Sequence, residues 1–477
     1  MKLAFWRKPD EPDYEPSKSQ KRHYHAVTKN RILSGWQTAP VPVNQIIKEQ
    51  LTTLRARSRE QLRNNDYVRQ YVRTLQNNVV GFTGVLIQSQ VLRADNPKMP
   101  DVAANKAIEA AYADAGRAVD LSGRLSRNDA LRTLLSSLVT DGEYIAIQHP
   151  GKDYGKYGYQ IEPIDPELLD VSKTETLSNG RQVRMGIEYD ARSRPVNYWF
   201  KTGYNTREYR IVPAARVLHI FYPEFVGQER GLPWLSTTLF TLKQLDAYDE
   251  AAITAARIGA SKMGFFKSNN GGEYKGEELN TAKDDGSTIT EAEAGVFENI
   301  GDLDFQEFNP NYPHEQFPHF KKAGLRRVAS GLGAQYETIA NDREGVNYTS
   351  IRHGTLEDRE NWKIIQEFLI NSFIRPDREA WLQSALVSRS IKIGTMPLSR
   401  TYEDYLPCRY QPRRWPWVDP AKDMKAYETE YGLNAISISQ IIREKGRDPD
   451  EVFTEIAEEN AKMLALGITS EDVVAEM

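Results

Sequence analysis

Residues Pro233–Met263 read PWLSTTLFTLKQLDAYDEAAITAARIGASKM, and their reading decides the architecture of the chain. Proline suits the first turn of a helix, where its missing N–H would have no intrahelical partner. About 30 residues rising 1.5 Å each predict a rod of about 45 Å. Its first half carries Leu235, Leu239, Leu242 and Leu245. Its second half carries Ala251, Ala252, Ala255, Ala256, Gly259 and Ala260, side chains small enough to let backbones approach closely. A tightly packed ring of helices needs such a surface, which makes Ala252, Ala256, Gly259 and Ala260 candidate oligomer-interface residues. A long internal helix of a monomer fits the same pattern.

On the C-terminal side of this rod, residues 266–312 change character, with KSNNGGEYKGEELNTAKDDGSTITEAEAG at Lys267–Gly295 and strand signals at Gly295–Phe297 and Leu303–Phe308. Helix–helix connections usually take about 2–8 residues, so so long a polar insertion points to a function, a tolerated surface loop being the alternative. A second helix is expected over about His314–Leu332, stopped by Gly333. A loop at Ala334–Val346 follows, then a long helix from Asn347 to Phe373 with Trp362, Ile365, Leu369 and Phe373 on one face. Beyond the Pro- and aromatic-rich stretch Tyr410–Pro420, three short helices are separated by Gly432, Gly446 and Asp448–Pro449.

On the N-terminal side, Val43–Val80 has helical periodicity, ended by Gly81 and Gly84. Another helix is expected at Val102–Ala118, and Ser126 with Asp129 makes a capping box before Leu131, Leu134, Leu135 and Leu138. Strand signals then take over at Glu143–Gln148, Arg184–Tyr189, Val196–Phe200 and Arg216–Pro223, with a hairpin expected at DARSRP (Asp190–Pro195). A β-rich body over residues 140–223 between helical segments is an α+β arrangement. Residues 1–40 are polar and read as an arm that orders on assembly.

Composition sets limits. A chain of 477 residues is expected to hold two or more substructures, and 40% hydrophobic with 10% aromatic residues is the content of a folded protein. No apolar run reaches 18 residues and mean hydropathy is −0.60, so no membrane span is expected. The first residues lack the apolar core of a signal peptide, and Cys408, the single cysteine, fits a reducing cytosol. A net charge of −4 gives no surplus of Lys and Arg for gripping duplex DNA. A mildly acidic wall with local basic positions suits DNA that passes through, and a protein that never meets nucleic acid fits the charge equally well.

Enzyme chemistry finds little support. The pair Gly151–Lys152 lacks the upstream glycine and the Ser/Thr of a phosphate loop, and no G-x-S-x-G elbow occurs. Neither His23 with His25 nor His314 with His319 forms a zinc set with one cysteine. Asp141 and Glu143 flank Gly142, which suits a turn at a strand entry or, for a nuclease, a carboxylate metal site. The basic group Lys321, Lys322, Arg326 and Arg327 is more suggestive. Lys322 and Arg326 share a helix face, and in a ring one such face becomes a belt able to touch phosphates without reading sequence. A solvated face and salt bridges between subunits are the competing readings.

Five phrases in order, RARSRE…NN (Arg55–Asn65), GQERGLPWL (Gly227–Leu235), AARIGA (Ala255–Ala260), NYTSIR (Asn347–Arg352) and WVDPAKD (Trp417–Asp423), resemble the portal proteins of tailed bacteriophages, lambda-type branch. The resemblance implies a portal fold with an α/β wing, two long stem helices, a small α/β clip insertion and a C-terminal helical crown, closed into a homo-oligomeric ring of twelve subunits. On this chain it implies an arm at 1–40, wing at 41–232, stem helices at 233–265 and 313–333, and clip at 266–312. A tunnel loop would fall at 334–346, a return helix and linker at 347–423, and the crown at 424–477. The implied function is a channel for double-stranded DNA at one capsid vertex, without catalysis or cofactor, assembled in the host bacterial cytoplasm and carried in the virion. Its implied partners are the terminase large subunit, the head–tail adaptor, and the major capsid and scaffold proteins. Lys321, Lys322, Arg326, Arg327, Arg343 and Asn347 are the expected DNA-channel residues. A metal-dependent nuclease and a ring-forming adaptor that does not contact DNA are the alternatives.

Overall fold

A computed structural model describes residues 31, 35, 37–260, 264–268, 303–307, 316–393, 400–415 and 420–465. The arm at 1–40 lies almost wholly outside these residues, as do the strand signal at Gly295–Phe297, most of the insertion, His314 and Trp417–Asp419.

Helix α1 (Val43–Asn64) and helix α2 (Asp66–Leu75) replace the single helical stretch expected to Val80. Asn65 separates them: its backbone is extended and its side chain accepts from the N–H groups of Tyr67 and Val68. This is N-cap chemistry, which offers the backbone an alternative to continuing the helix. A π turn at Gln76–Val80 then ends at Gly81, whose φ of 66° is the left-handed conformation glycine tolerates.

Strand β1 (Leu86–Ser89) leads to α3 (Val102–Ala115), which stops three residues short of the expected end, and to α4 (Arg127–Asp141), opened by the Ser126–Asp129 capping box. Strands β2 (Glu143–Pro150), β3 (Tyr159–Ile164) and β9 (Val217–Phe221) form one antiparallel sheet with β2 central. Strands β4 (Glu175–Thr176), β5 (Gln182–Arg184), β6 (Ile187–Tyr189), β7 (Pro195–Lys201) and β8 (Tyr209–Pro213) form a five-stranded meander. Arg184–Tyr189, expected as one strand, is a hairpin, because Met185 and Gly186 both take positive φ and turn the chain. Two successive residues with φ > 0 are the signature of a tight hairpin turn. The side chains of β2 alternate between two cores: Tyr144 and Ala146 join the helices, while Ile145 and Ile147 face Ile187, Tyr198 and Phe200 of the meander. Covered on both faces, β2 is buried over its first seven residues, the longest such run among the described strands, and is the fixed reference of the β-rich body.

Helix α5 (Leu239–Ala260) starts six residues later than Pro233 predicts. Turns occupy the interval, with Ser236 N–H donating to the Pro233 carbonyl and the Thr238 hydroxyl to that of Leu235. Ser-Thr-Thr is poor helix material for this reason, its hydroxyls competing with the backbone ladder. At 22 residues α5 is about 33 Å long. Strand β10 (Gly264–Ser268) pairs with β11 (Leu303–Glu307), so Gly264 and Phe265 belong to a strand rather than to the end of the expected first stem helix.

Helix α6 (Phe317–Leu332) packs against α5. A Cβ added at Gly324 would lie 2.7 Å from Leu245, and one at Gly331 would lie 2.6 Å from Thr238. Lys321 meets Asp249. These pairs run in opposite directions along the two helices, which are therefore antiparallel. The small residues that allow the close approach are glycines of α6, which the sequence pattern does not single out.

The expected loop at Ala334–Val346 contains a short helix, α7 (Tyr336–Ala340). Asp358 of the next helix holds it, accepting from Gln335 N–H at 3.1 Å and from the Thr338 hydroxyl at 2.8 Å. Helix α8 (Tyr348–Leu369) passes through a π turn at Ile370–Ile374 into α9 (Arg375–Val387), an element the sequence pattern does not mark. Strand β12 (Cys408–Gln411) pairs with β1 across more than 300 residues of chain and anchors the segment expected as linker. Helices α10 (Pro420–Gly432), α11 (Ile438–Glu444) and α12 (Pro449–Ala465) match the three expected at the C-terminal end.

Candidate functional site

The first and second of the five phrases meet at one carboxylate. Glu143, at the entry to β2, is fully buried and accepts from Arg55 Nη2 at 2.6 Å, Arg230 Nη2 at 2.5 Å, His219 Nε2 at 3.0 Å and the Gly231 N–H at 3.0 Å. Arg55 also donates to the carbonyls of Asp141 and Pro166, and Arg230 to those of Leu169 and Met185. Buried guanidinium groups in such numbers are tolerable only when most donors are satisfied. Burial alone would raise the Glu143 carboxyl, but Arg230, Arg55 and His219 outweigh it and hold the group well below the usual carboxylate range.

Glycines make the meeting feasible. Gly142 has φ 79° at the end of α4, and a Cβ there would lie 2.2 Å from the Leu232 carbonyl carbon. A Cβ on Gly231 would lie 2.0 Å from the Gly142 carbonyl oxygen. Beside this contact Arg59 bridges Asp141 at 2.5 Å and Asp165 at 2.6 Å, and burial pushes the Asp141 carboxyl up despite Arg59. Asn44 clasps the loop from the other side, donating to the Gly227 carbonyl and accepting from Glu229 N–H. Asn65 donates to Asp246 of α5 at 2.7 Å while it caps α2. The phrases at Arg55–Asn65 and Gly227–Leu235 thus tie α1, the β-rich body and the base of α5 into one block. Asp141 and Glu143, the pair weighed above as a metal site, are instead engaged by arginines. Among the described residues no group of three or more His, Cys, Asp and Glu is arranged to hold a metal ion. Burial pushes the Cys408 thiol up to about 11, away from the nucleophilic thiolate.

The basic residues of α6 divide into two kinds. Lys321 is bound to Asp249 at 2.8 Å and lies near the Tyr67 ring, and Lys322 is bound to Asp342 at 3.3 Å. Asp342 also accepts from the Tyr336 hydroxyl at 2.8 Å and the Glu344 N–H at 3.0 Å, which draws its carboxyl below the ordinary value and fastens the segment after α7 to α6. Arg326 and Arg327 are exposed, Arg326 lying 5.6 Å from the Tyr336 ring centre, and neither forms an ion pair among the described residues. Arg343 is exposed beside Asp342. Asn347 caps α8, its side-chain oxygen accepting from Ser350 N–H at 2.8 Å, so the phrase at Asn347–Arg352 begins with a helix start. On α5, Ala252 is covered within the protomer and Ala256 is half-buried. The side chains of Gly259 and Ala260 lie outside the described ones.

The sequence pattern of the family "Phage portal protein, lambda family" matches residues 29–366. A "Probable portal protein" of Halomonas phage phiHAP-1 is 30% identical over 476 residues, a match covering 96% of this chain and 90% of the relative. Among solved structures, a chain in the virion of a native gene transfer agent particle aligns with a TM-score of 0.43 and 12% identity, over 87% of this chain and 98% of that one. An HK97 family phage portal protein from Corynebacterium diphtheriae aligns with a TM-score of 0.33 and 11% identity, over 77% and 96%. The family match spans well over half of the chain and the phage relative nearly all of it, so the chain belongs to the lambda family of phage portal proteins, structural rather than enzymatic components of the virion that serve as head–tail connector at the capsid vertex.

Proposed function

We propose that copies of this protein close into a ring of twelve subunits whose axial channel conducts double-stranded DNA during packaging and ejection. Family membership carries this reading. The antiparallel α5–α6 pair supports it, because Phe240 is 73% exposed, Ile253 60% and Phe320 59% on a single protomer. Large apolar side chains gathered on one helix pair mark a surface that neighbours cover. Helices α5 and α6 then serve as the stem, residues 41–232 and 347–423 as the wing, and residues 424–477 as the crown facing the capsid interior with the capsid and scaffold proteins nearby.

Arg326, Arg327 and Arg343 are the channel candidates that form no ion pair among the described residues, while Lys322 ties the segment around 334–346 to α6 and Lys321 ties α6 to α5. Repeated around a ring, the two exposed arginines of α6 supply a belt for weak, sequence-independent contact with phosphates. The insertion at 266–312 serves as the clip, docking the terminase large subunit during packaging and the head–tail adaptor afterwards. Assembly takes place in the cytoplasm of the host bacterium. Light scattering coupled to size exclusion, with electron microscopy of the same fractions, tests the ring: a stable monomer near 54.4 kDa at every salt concentration would refute it. Replacing Gly271–Thr290 with a short Gly-Ser linker should leave the ring intact and abolish terminase or adaptor binding. Normal yields of infectious, DNA-filled particles from that variant would remove the docking role.

A further inference from the structure

Behind the wing, a cavity of about 380 Å³ opens between the π turn after α8, strand β12 and helix α11. Its lining brings together Arg375, Arg409, Arg414 and Arg443 against one acid, Glu367. None of the four arginines forms an ion pair among the described residues, and Arg443 Nε is buried without a hydrogen-bond partner. Arg375 lies 5.4 Å from the ring centre of Tyr410 on the same wall. Behind that wall Arg378 is fully buried, donates to the Leu406 carbonyl at 2.9 Å, and leaves Nε and Nη2 without partners. The elements are held independently of any ligand: β12 pairs with β1, and Gln88 of β1 donates to Asp448 beyond α11 at 2.9 Å.

Positive charges in a cavity repel one another and, when buried, are normally paired. Arg375 and Arg409 are exposed and Arg414 and Arg443 half-buried, whereas the buried Arg55 and Arg230 and the half-buried Arg59 all have carboxylate partners. Several guanidinium forks that form no ion pair among the described residues and outnumber the one acid beside them form a receptor for a tetrahedral anion. Among the described residues its lining has no glycine-rich cradle and no acid pair to hold a nucleotide's metal, which favours the phosphate of a polynucleotide backbone over a bound nucleotide.

We propose that this arginine cavity is a second DNA contact, separate from the face of α6, that holds backbone phosphates of the duplex at the junction of wing and C-terminal helices. It rests on the reading that the protein meets DNA, and its test is arranged to fail separately. The purified full-length assembly is titrated with a labelled random-sequence duplex by fluorescence anisotropy, between about 50 and 200 mM salt. The Arg409→Ala/Arg443→Ala double variant is expected to bind about 10-fold more weakly or worse, with a log–log salt slope smaller by about 1–2. Unchanged affinity and slope would overturn the proposal. So would calorimetry in which the wild type, and not the variant, binds inorganic phosphate while duplex affinity stays equal, since that assigns the cavity to free phosphate. Arg409→Lys/Arg443→Lys, which keeps the charge, should assemble and retain most of the duplex binding. Failure of both double variants to form the wild-type assembly would mean that the arginines pair with carboxylates of a neighbouring subunit, and would also overturn it. If the wild type forms rings that fill capsids with DNA and the variant binds duplex equally well, this site falls while the portal reading stands. A wild type that forms no ring removes the reading itself.

Discussion

Arg55 and Arg230 are 1% and 0% exposed and share the Glu143 carboxylate, whereas Arg326 and Arg327 stand on the open face of α6 without a carboxylate partner among the described residues. The first pair lies at the junction of α1, β2 and the loop before α5, where water is excluded and every donor must find a protein acceptor. The second pair keeps its hydration and is available to a passing anion. The same residue type thus builds the protomer in one region and addresses the outside in the other. Burial makes the difference, because a guanidinium left unpaired in a low-dielectric interior costs several kcal/mol while an exposed one costs little.

Removing the shared carboxylate is the most severe way to test this contrast. Glu143→Ala leaves two buried arginines without their counter-charge and should destabilise the protomer by about 3–5 kcal/mol. Chemical denaturation of the soluble variant measures this, and a loss under about 1 kcal/mol would show that the junction is not what holds α1 to the sheet. The same group sets a pH dependence. Because its folded-state value is depressed, Glu143 contributes full stability above the ordinary glutamate value of about 4.5 and loses it as pH falls through the lower folded value. Asp141, whose carboxyl is raised, runs the other way: its share falls as pH rises through the raised value. A denaturation midpoint that fell already between pH 7 and pH 5, and no longer did so once Glu143 was replaced, would contradict this window.

Next in size is Gly231→Ala. Its Cβ would lie 2.0 Å from the Gly142 carbonyl oxygen, backbone that cannot rotate away, and overpacking of this kind costs about 1–3 kcal/mol. A wild-type melting temperature would mean that the two chain segments part readily. Asn347→Ala removes the N-cap of α8 and should cost about 1 kcal/mol, read from the same denaturation curves. An effect on DNA packaging with no loss of stability would instead place Asn347 in the channel. Smallest in stability is Arg326→Ala/Arg327→Ala, expected within about 0.5 kcal/mol of wild type because both side chains are exposed and neither forms an ion pair among the described residues. Ring assembly should survive and DNA packaging or retention should fall. A variant that no longer assembles would move both arginines to a subunit interface.

Local chemistry was legible without coordinates. Ser126 with Asp129, Gly81, Gly333 and the glycines between the last three helices act within about four residues of chain, so their helix ends follow from the sequence itself. The alternation of β2 and the polar insertion between α5 and α6 are legible for the same reason, being periodic or compositional. Five ordered phrases also identified the family, but what they do inside the protomer was not readable. Arg55 and Arg230 reach Glu143 across 88 and 87 residues, and no spacing rule links them. The glycines that seat α6 on α5 and the pairing of β12 with β1 were likewise decided by tertiary approach. Caps and turns are bonds between near neighbours in the chain, whereas a buried ion cluster exists only once distant segments have excluded water around it.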